Sequence, residues 1–270
     1  MGRKTRRQLL GQHFLHEKKI LNKIIEAIQP GPRDLIIEIG PGQGALTFFL
    51  TEKAGQVLAI EKDYALVQAL EKNQPENLEI IAGDVLKMDL RSVIRNYSLK
   101  PQTIKLAGNL PYHISSQILF LLLEVRDLIE RAVFLFQKEL AERITAAPGT
   151  KKYAPLSILL QNYFDCQTLF QVKPGAFRPP PKVDSTCLLF LTRDKPQYFP
   201  ESHQEAFFNF LKNCFAQRRK TLSRNLETSG YRKEQVQEIL TGLGLEWRIR
   251  AEALPPETLY SIYTLLKKPS

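Results

Sequence analysis

Leu35-Ile36-Ile37-Glu38-Ile39-Gly40-Pro41-Gly42-Gln43-Gly44-Ala45 is the stretch that decides the fold of this chain. A short apolar run closed by a turn signal reads as a buried strand. The glycines that follow, at alternate positions, allow positive φ and close approach of the backbone to a ligand. The helical spacing beyond them completes a strand–turn–helix unit. Three later apolar runs, at 57–61, 78–82 and 104–107, end on or just before Glu61, Gly83-Asp84 and Asn109-Leu110-Pro111-Tyr112.

Working outward, the predicted strands are 35–40, 57–61, 78–82, 104–107 and 132–136, with helical spacing of apolar residues over 45–54, 64–73 and 115–124. This alternation predicts parallel βαβ units in a doubly wound α/β sheet, completed by a late strand at 186–191. Residues 193–200 read as a linker. Beyond it the pattern is helical. Phe207, Phe210, Leu211, Cys214 and Phe215 share one face, Val236, Ile239, Leu240 and Leu243 form a second stripe ended by Gly244, and Pro255-Pro256-Glu257 opens a last helix. The expected organisation is a large α/β domain over 1–193 and a small all-helical domain over 194–270.

The chain has 270 residues, 43% of them hydrophobic, and a formal net charge of +10. That charge points to a polyanionic partner as readily as to a merely basic enzyme. Cys166, Cys187 and Cys214 show no metal-like spacing and read as core residues in a reducing compartment. The basic start Arg3-Lys4-Thr5-Arg6-Arg7 lacks the apolar segment of a secretory signal. The longest apolar run, 118–123, is too short to span a bilayer. The expectation is a cytoplasmic protein.

Open α/β sheets bind ligands at the carboxyl ends of their strands, where the strand order reverses. The glycines here form Gly-x-Gly-x-Gly; the dinucleotide fingerprint requires glycine where Ala45 stands. Glu61, at the end of the second strand, suits both hydroxyls of a ribose, in NAD or S-adenosylmethionine alike. Glu38 adds negative charge, which favours a cationic sulfonium over a pyrophosphate. Asp84 is placed to take an adenine amino group; capping the following helical turn is its other reading.

Asn109-Leu110-Pro111-Tyr112 carries the reactive chemistry. The lone pair of an adenine N6 amine is delocalised into the ring. The Asn109 side-chain carbonyl and the Leu110 backbone carbonyl can each accept one N–H, favour a pyramidal nitrogen and aim its lone pair at a methyl donor. This is positioning and electrostatics, with no general base. Pro111 holds Leu110 extended, and Tyr112 offers a face to a base. In isolation the four residues are also a plain turn.

On these residues the chain resembles the ribosomal RNA adenine N6-dimethyltransferases, specifically the bacterial small-subunit type named for kasugamycin resistance. The matching stretches are Gly11-Gln12-His13-Phe14-Leu15, Glu38 to Thr47, Asn109 to Tyr112, Phe177-Arg178-Pro179-Pro180-Pro181-Lys182-Val183-Asp184-Ser185, and Phe215-Ala216-Gln217-Arg218-Arg219-Lys220-Thr221-Leu222. The resemblance implies a Rossmann-like class I methyltransferase sheet with S-adenosyl-L-methionine as cofactor, held by His13, Leu15, Gly40, Glu61, Asp84 and Asn109. It implies that two adjacent adenines near the 3′ end of 16S rRNA, within the small ribosomal subunit or its precursor, each receive two methyl groups. It places Phe177 as a second aromatic against the target base; a core phenylalanine before a proline turn is the competing reading. Position 13 is usually Asn in this family and here is His.

A base inside a duplex must be extruded before it is methylated. Phosphate contacts are expected from Arg3, Lys4, Arg6 and Arg7, and from a helix-borne cluster of Arg218, Arg219, Lys220 and Arg224. Other readings are large-subunit rRNA as substrate, a non-catalytic RNA-binding assembly factor on the same fold, and a nicotinamide dehydrogenase. The expected oligomeric state is a monomer.

Overall fold

A computed structural model describes residues 12–97 and 103–267 of the chain. It opens on a two-residue strand, β1 (Phe14–Leu15), and a helix, α1 (Lys18–Ile28), whose Leu21, Ile24, Ile25 and Ile28 repeat at i, i+3, i+4 and i+7 and are all buried. Burying four such side chains contributes on the order of 1.5–3 kcal/mol each before entropy is counted. Next come β2 (Leu35–Ile39), α2 (Thr47–Thr51), β3 (Gln56–Glu61), α3 (Tyr64–Glu71), β4 (Leu78–Ala82), α4 (Leu90–Tyr97), β5 (Ile104–Asn109), α5 (Ser115–Glu124) and β6 (Arg131–Gln137). After α6 (Lys138–Ile144) and α7 (Pro155–Tyr163) the chain returns through β7 (Phe164–Val172), β8 (Phe177–Arg178) and β9 (Ser185–Thr192). The rest is helical: α8 (Gln204–Cys214), α9 (Leu222–Thr228), α10 (Lys233–Gly242) and α11 (Pro256–Lys267).

Seven strands form one sheet in the order β4-β3-β2-β5-β6-β9-β7. The β2–β3, β3–β4, β2–β5 and β5–β6 pairs are parallel, and β6–β9 is antiparallel. All five residues of β2 are buried, as a central parallel strand covered on both faces requires. The chain builds outward through β3 and β4, then crosses back to place β5 on the other side of β2. That reversal opens the crevice between the carboxyl ends of β2 and β5. The two strands approach closely at Gly108, where a Cβ would stand 2.5 Å from the Ile39 carbonyl oxygen.

A second, two-stranded sheet pairs β1 with β8 antiparallel, Phe14 opposite Arg178 and Leu15 opposite Phe177. Sequence patterning does not reveal this clip. It joins two of the family-like stretches across the chain.

The chain falls into two compact units, one of residues 1–141 with 165–192, the other of 142–164 with 193–270. The sequence reading divides the chain once, at 193/194; the internal contacts put 142–164 with the C-terminal helices. Asn162 supplies the physical reason. Its carboxamide accepts from the Tyr198 and Phe199 N–H groups (2.7 and 3.1 Å) and donates to the Phe199 carbonyl (3.1 Å). The stretch read as a linker is therefore latched onto α7, with Phe199 buried against Phe207 at a ring separation of 4.8 Å. No helix of the described residues is long and apolar enough to cross a membrane.

Candidate active site

The carboxyl ends of β2, β3, β4 and β5 line one pocket, together with residues 12–15. Gly40, at the end of β2, has φ +69° and donates its N–H to Ile60 O at 3.0 Å. Gly42 has φ +60°, and a Cβ there would lie 2.9 Å from the Phe14 ring, so the turn requires glycine for both conformation and space.

Glu61 closes β3 and is buried. One carboxylate oxygen accepts from Gly42 N (3.1 Å), the other from Asp63 N (2.8 Å). Burial pushes its pKa up, and these backbone N–H groups pull it part of the way back. Each oxygen keeps a lone-pair direction for a ligand hydroxyl. Glu38, 2% exposed within β2, is pushed up to about 7 by burial; the Thr47 hydroxyl opposes this and the Glu61 carboxylate adds to it. Glu38 Oε2 has no hydrogen-bond partner. An orphaned buried carboxylate oxygen beside a ligand cleft is the feature that a cationic, hydrogen-bond-donating ligand would satisfy.

Asp84 follows β4, lines the pocket and caps the helical turn Val85–Lys87. Its Oδ1 accepts from Leu86 N at 3.2 Å and its Oδ2 from Lys62 Nζ at 2.8 Å. The Lys62 ammonium holds its carboxyl below the ordinary range. Sequence reasoning missed Lys62; its position directly after the strand-end Glu61 was the available signal.

At the end of β5 the Asn109 carboxamide donates from Nδ2 to the His13 carbonyl at 2.7 Å. A carbonyl only accepts, so this bond fixes which end of the amide is which. No described residue donates to Asn109 Oδ1 or to the Leu110 carbonyl. Pro111 sits at φ −58°, ψ 130°, and Tyr112 begins a short helical turn. The Tyr112 hydroxyl is tethered to Ser185 Oγ, the first residue of β9, at 2.7 Å. Burial raises its pKa, so it stays a neutral phenol. Ser185 was quoted as part of a motif; its partnership with Tyr112 was not legible without the sheet order.

His13 spans three segments. Its carbonyl holds Asn109, its Nδ1 bonds Pro179 O at 2.7 Å, and its ring lies 5.6 Å from the Tyr112 ring at a 35° tilt. A neutral imidazole in this arrangement carries its proton on Nδ1 and leaves Nε2 as an acceptor.

The pocket thus gathers His13, Leu15, Gly40, Glu61, Asp84 and Asn109, together with Leu110, Pro111 and Tyr112. Phe177 is not brought to it: 2% exposed, it packs in the hydrophobic core opposite Leu15. The core reading of that residue is the one its placement matches, because pairing with β1 turns the side chain inward. The basic cluster also differs from expectation. Arg218, Arg219 and Lys220 lie on the turn between α8 and α9, and only Arg224 is helical. Asn225 sets this turn: it donates from Nδ2 to the Cys214 carbonyl (2.8 Å), and its Oδ1 accepts from Gln217 N (3.1 Å). Arg218 is tied to Tyr153 O and Glu252, and Arg224 to Glu227; Arg219 and Lys220 are exposed. The other expected phosphate contacts, Arg3, Lys4, Arg6 and Arg7, and Gly11 of the first family-like stretch, lie outside the described residues.

The donor set fits S-adenosylmethionine. Glu38, Glu61, Asp63 and Asp84 outnumber Lys62 around the pocket, which favours a cationic ligand and disfavours a pyrophosphate.

Residues 3–268 match the family model described as ribosomal RNA adenine dimethylase. The chain is 40% identical over 260 residues to a Geobacter sulfurreducens protein named ribosomal RNA small subunit methyltransferase A, covering 95% of this chain and 93% of the relative. A crystal structure of a dimethyladenosine transferase from Plasmodium falciparum superposes with a TM-score of 0.76 at 28% identity, covering 93% of this chain and 96% of that one. The 23S rRNA methyltransferase ErmE shares the fold, with a TM-score of 0.69 at 24% identity over 94% of this chain and all of the other.

Proposed function

Since the chain belongs to the ribosomal RNA adenine dimethylase family, we propose that its substrate is 16S rRNA of the small ribosomal subunit or its precursor. The enzyme is an S-adenosylmethionine-dependent rRNA adenine dimethyltransferase. Within that activity, the proposed targets are two adjacent adenines near the 3′ end, each receiving two methyl groups during subunit biogenesis in the cytoplasm, with the protein acting as a monomer. Similarity to relatives named for the small subunit favours this target over large-subunit rRNA.

The bound cofactor supplies a methyl group on a sulfonium centre. The chain's residues supply the rest. In this reading Glu61 accepts from ribose hydroxyls, Asp84 from an adenine amino group, and Gly40, His13 and Leu15 shape the cleft around them. Asn109 Oδ1 and the Leu110 carbonyl each accept one N–H of the target amine. They localise its lone pair and direct it into the pocket, so the nitrogen attacks before it loses its proton. Tyr112, held by Ser185 and flanked by His13, presents its ring to the extruded base. The exposed cations of the 142–164 and 193–270 unit are the proposed phosphate contacts.

One observation carries this reading: the His13 carbonyl occupies the donor end of the Asn109 amide and leaves two adjacent acceptors without protein donors at the mouth of the pocket. Small subunits lacking the modification, incubated with the enzyme and labelled S-adenosylmethionine, should take label on two adjacent adenines near the 3′ end, with up to two methyls each. Label mapping instead to large-subunit rRNA would reject the proposed target. Tight binding to the subunit without incorporation would favour the assembly-factor reading.

A further inference from the structure

Trp247, the only tryptophan of the chain, stands 61% exposed on the loop between α10 and α11. A single exposed apolar side chain is ordinary, but here three observations converge. The Arg248 guanidinium lies over the indole, 4.7 Å from the ring centroid. The ring borders a shallow depression lined by Gln237, Leu240, Thr241 and Leu245, and Leu243 of the same loop is 36% exposed. The loop is also stitched to the basic turn: Leu222 N donates to Ile249 O at 2.8 Å, and Ser223 Oγ donates to Trp247 O at 3.3 Å.

These ties join the segment that carries Trp247, Arg248 and Arg250 to Leu222 and Ser223, which lie in sequence between Lys220 and Arg224. Among the described residues only Arg224 of these cations has a carboxylate partner, Glu227. The loop itself holds two acidic side chains, Glu246 and Glu252, and Glu252 is paired with Arg218. A largely exposed indole with a guanidinium over it, and cations beside it that lack carboxylate partners, form the combination that binds single-stranded nucleic acid. Any base can stack on the ring, and the cations track the phosphates.

We propose that Trp247 is a stacking platform for an unpaired base of the RNA substrate, with Arg219, Lys220 and Arg250 on the flanking phosphates. The inference rests on the rRNA-modifying reading and adds a contact outside the methylation pocket.

The full-length protein tests it directly, because its tryptophan emission comes from this ring alone. Titration with single-stranded oligouridylate should quench that emission saturably. An abasic oligomer of equal charge should bind without quenching. Trp247→Ala should weaken oligouridylate binding about tenfold, read by anisotropy of labelled RNA, while Trp247→Phe keeps most of the affinity. Unchanged emission on RNA binding, with unchanged affinity in Trp247→Ala, overturns the proposal. So does equal quenching by polyglutamate, which would assign the patch to an acidic protein segment. Label transfer to small subunits, run on the same preparations, separates the two readings. A protein that methylates rRNA but shows no quenching loses the platform alone; one that neither methylates nor is quenched loses both.

Discussion

At the scale of single residues, Asn109 and Glu38 do opposite things with their polar atoms. Asn109 spends its donor on the His13 carbonyl and keeps its acceptor. Asn109→Ala should therefore lower single-turnover methyl transfer about 100-fold or more, by analogy with removing one preorganised hydrogen-bonding group from an active site. RNA affinity measured by filter binding should stay within about twofold of wild type, because phosphate contacts dominate binding. Wild-type transfer rates in the variant would remove Asn109 from the chemistry. Glu38 is buried with an oxygen unsatisfied, and its folded-state pKa of about 7 lies above its ordinary 4.5. Between those values the folded protein holds a proton that the unfolded chain has released. The group's contribution is thus most favourable at or below about pH 4.5, declines as pH rises to about 7, and is flat above; the full span is up to about 3 kcal/mol. Glu38→Gln should remove that decline, so urea unfolding of variant and wild type should converge near pH 5 and separate in the variant's favour at pH 8. Parallel curves at the two pH values would show that Glu38 does not hold the proton.

At the scale of elements, the β2–α2 turn depends on one position more than any other. Gly42 combines a φ of +60° with a Cβ position occupied by the Phe14 ring at 2.9 Å. Gly42→Ala should cost about 1–2 kcal/mol from backbone strain alone, and more through displacement of Phe14 and the β1–β8 clip. Thermal unfolding and calorimetric titration with S-adenosylmethionine should both register it. Adding Phe14→Leu should recover only the steric part, and full recovery would mean the backbone carries no strain. The same turn was legible from sequence because a continuous apolar run ending in spaced glycines leaves few alternatives. The predicted strand at 78–82 and helix at 115–124 coincide with β4 and α5, while 45–54 shrinks to the five residues of α2 because residues 45 and 46 are spent on the glycine turn and 52–54 on the connection into β3. Non-local features stayed hidden. Phe14 and Phe177 flank a clip whose halves are separated by most of the sheet, so no local periodicity marks it. Strand β7 is buried only at its ends, Phe164 and Val172, with polar Asp165, Gln167 and Gln171 between them, and such a poorly covered edge strand leaves a weak apolar signal. Phe177 reads identically as core or platform until its pairing with Leu15 is known.

At the scale of the whole molecule, the charge distribution must reconcile two opposite demands. The pocket concentrates carboxylates, whereas the chain carries a net +10. Polyanion and cationic cofactor therefore meet oppositely charged surfaces on one chain. Binding to RNA through cations releases condensed counterions, so the logarithm of the affinity should fall linearly with the logarithm of salt concentration. The slope is about −0.7 per contacted phosphate for single strands and about −0.9 for a B-form duplex. Arg219 and Lys220 are exposed and free of carboxylate partners among the described residues, whereas Arg218 is engaged with Tyr153 and Glu252. Replacing Arg219 and Lys220 together by alanine should therefore flatten the slope by roughly 1.4–1.8, and Arg218→Ala should act mainly on the stability of the helical unit. A further set, Arg3, Lys4, Arg6 and Arg7 to alanine, measures the N-terminal cations in the same way. If each replacement weakens binding equally at low and high salt, those side chains contribute contacts other than phosphate pairing. If the double variant keeps the wild-type slope, the turn after α8 does not touch the RNA, and the charge that recruits it lies elsewhere on the chain.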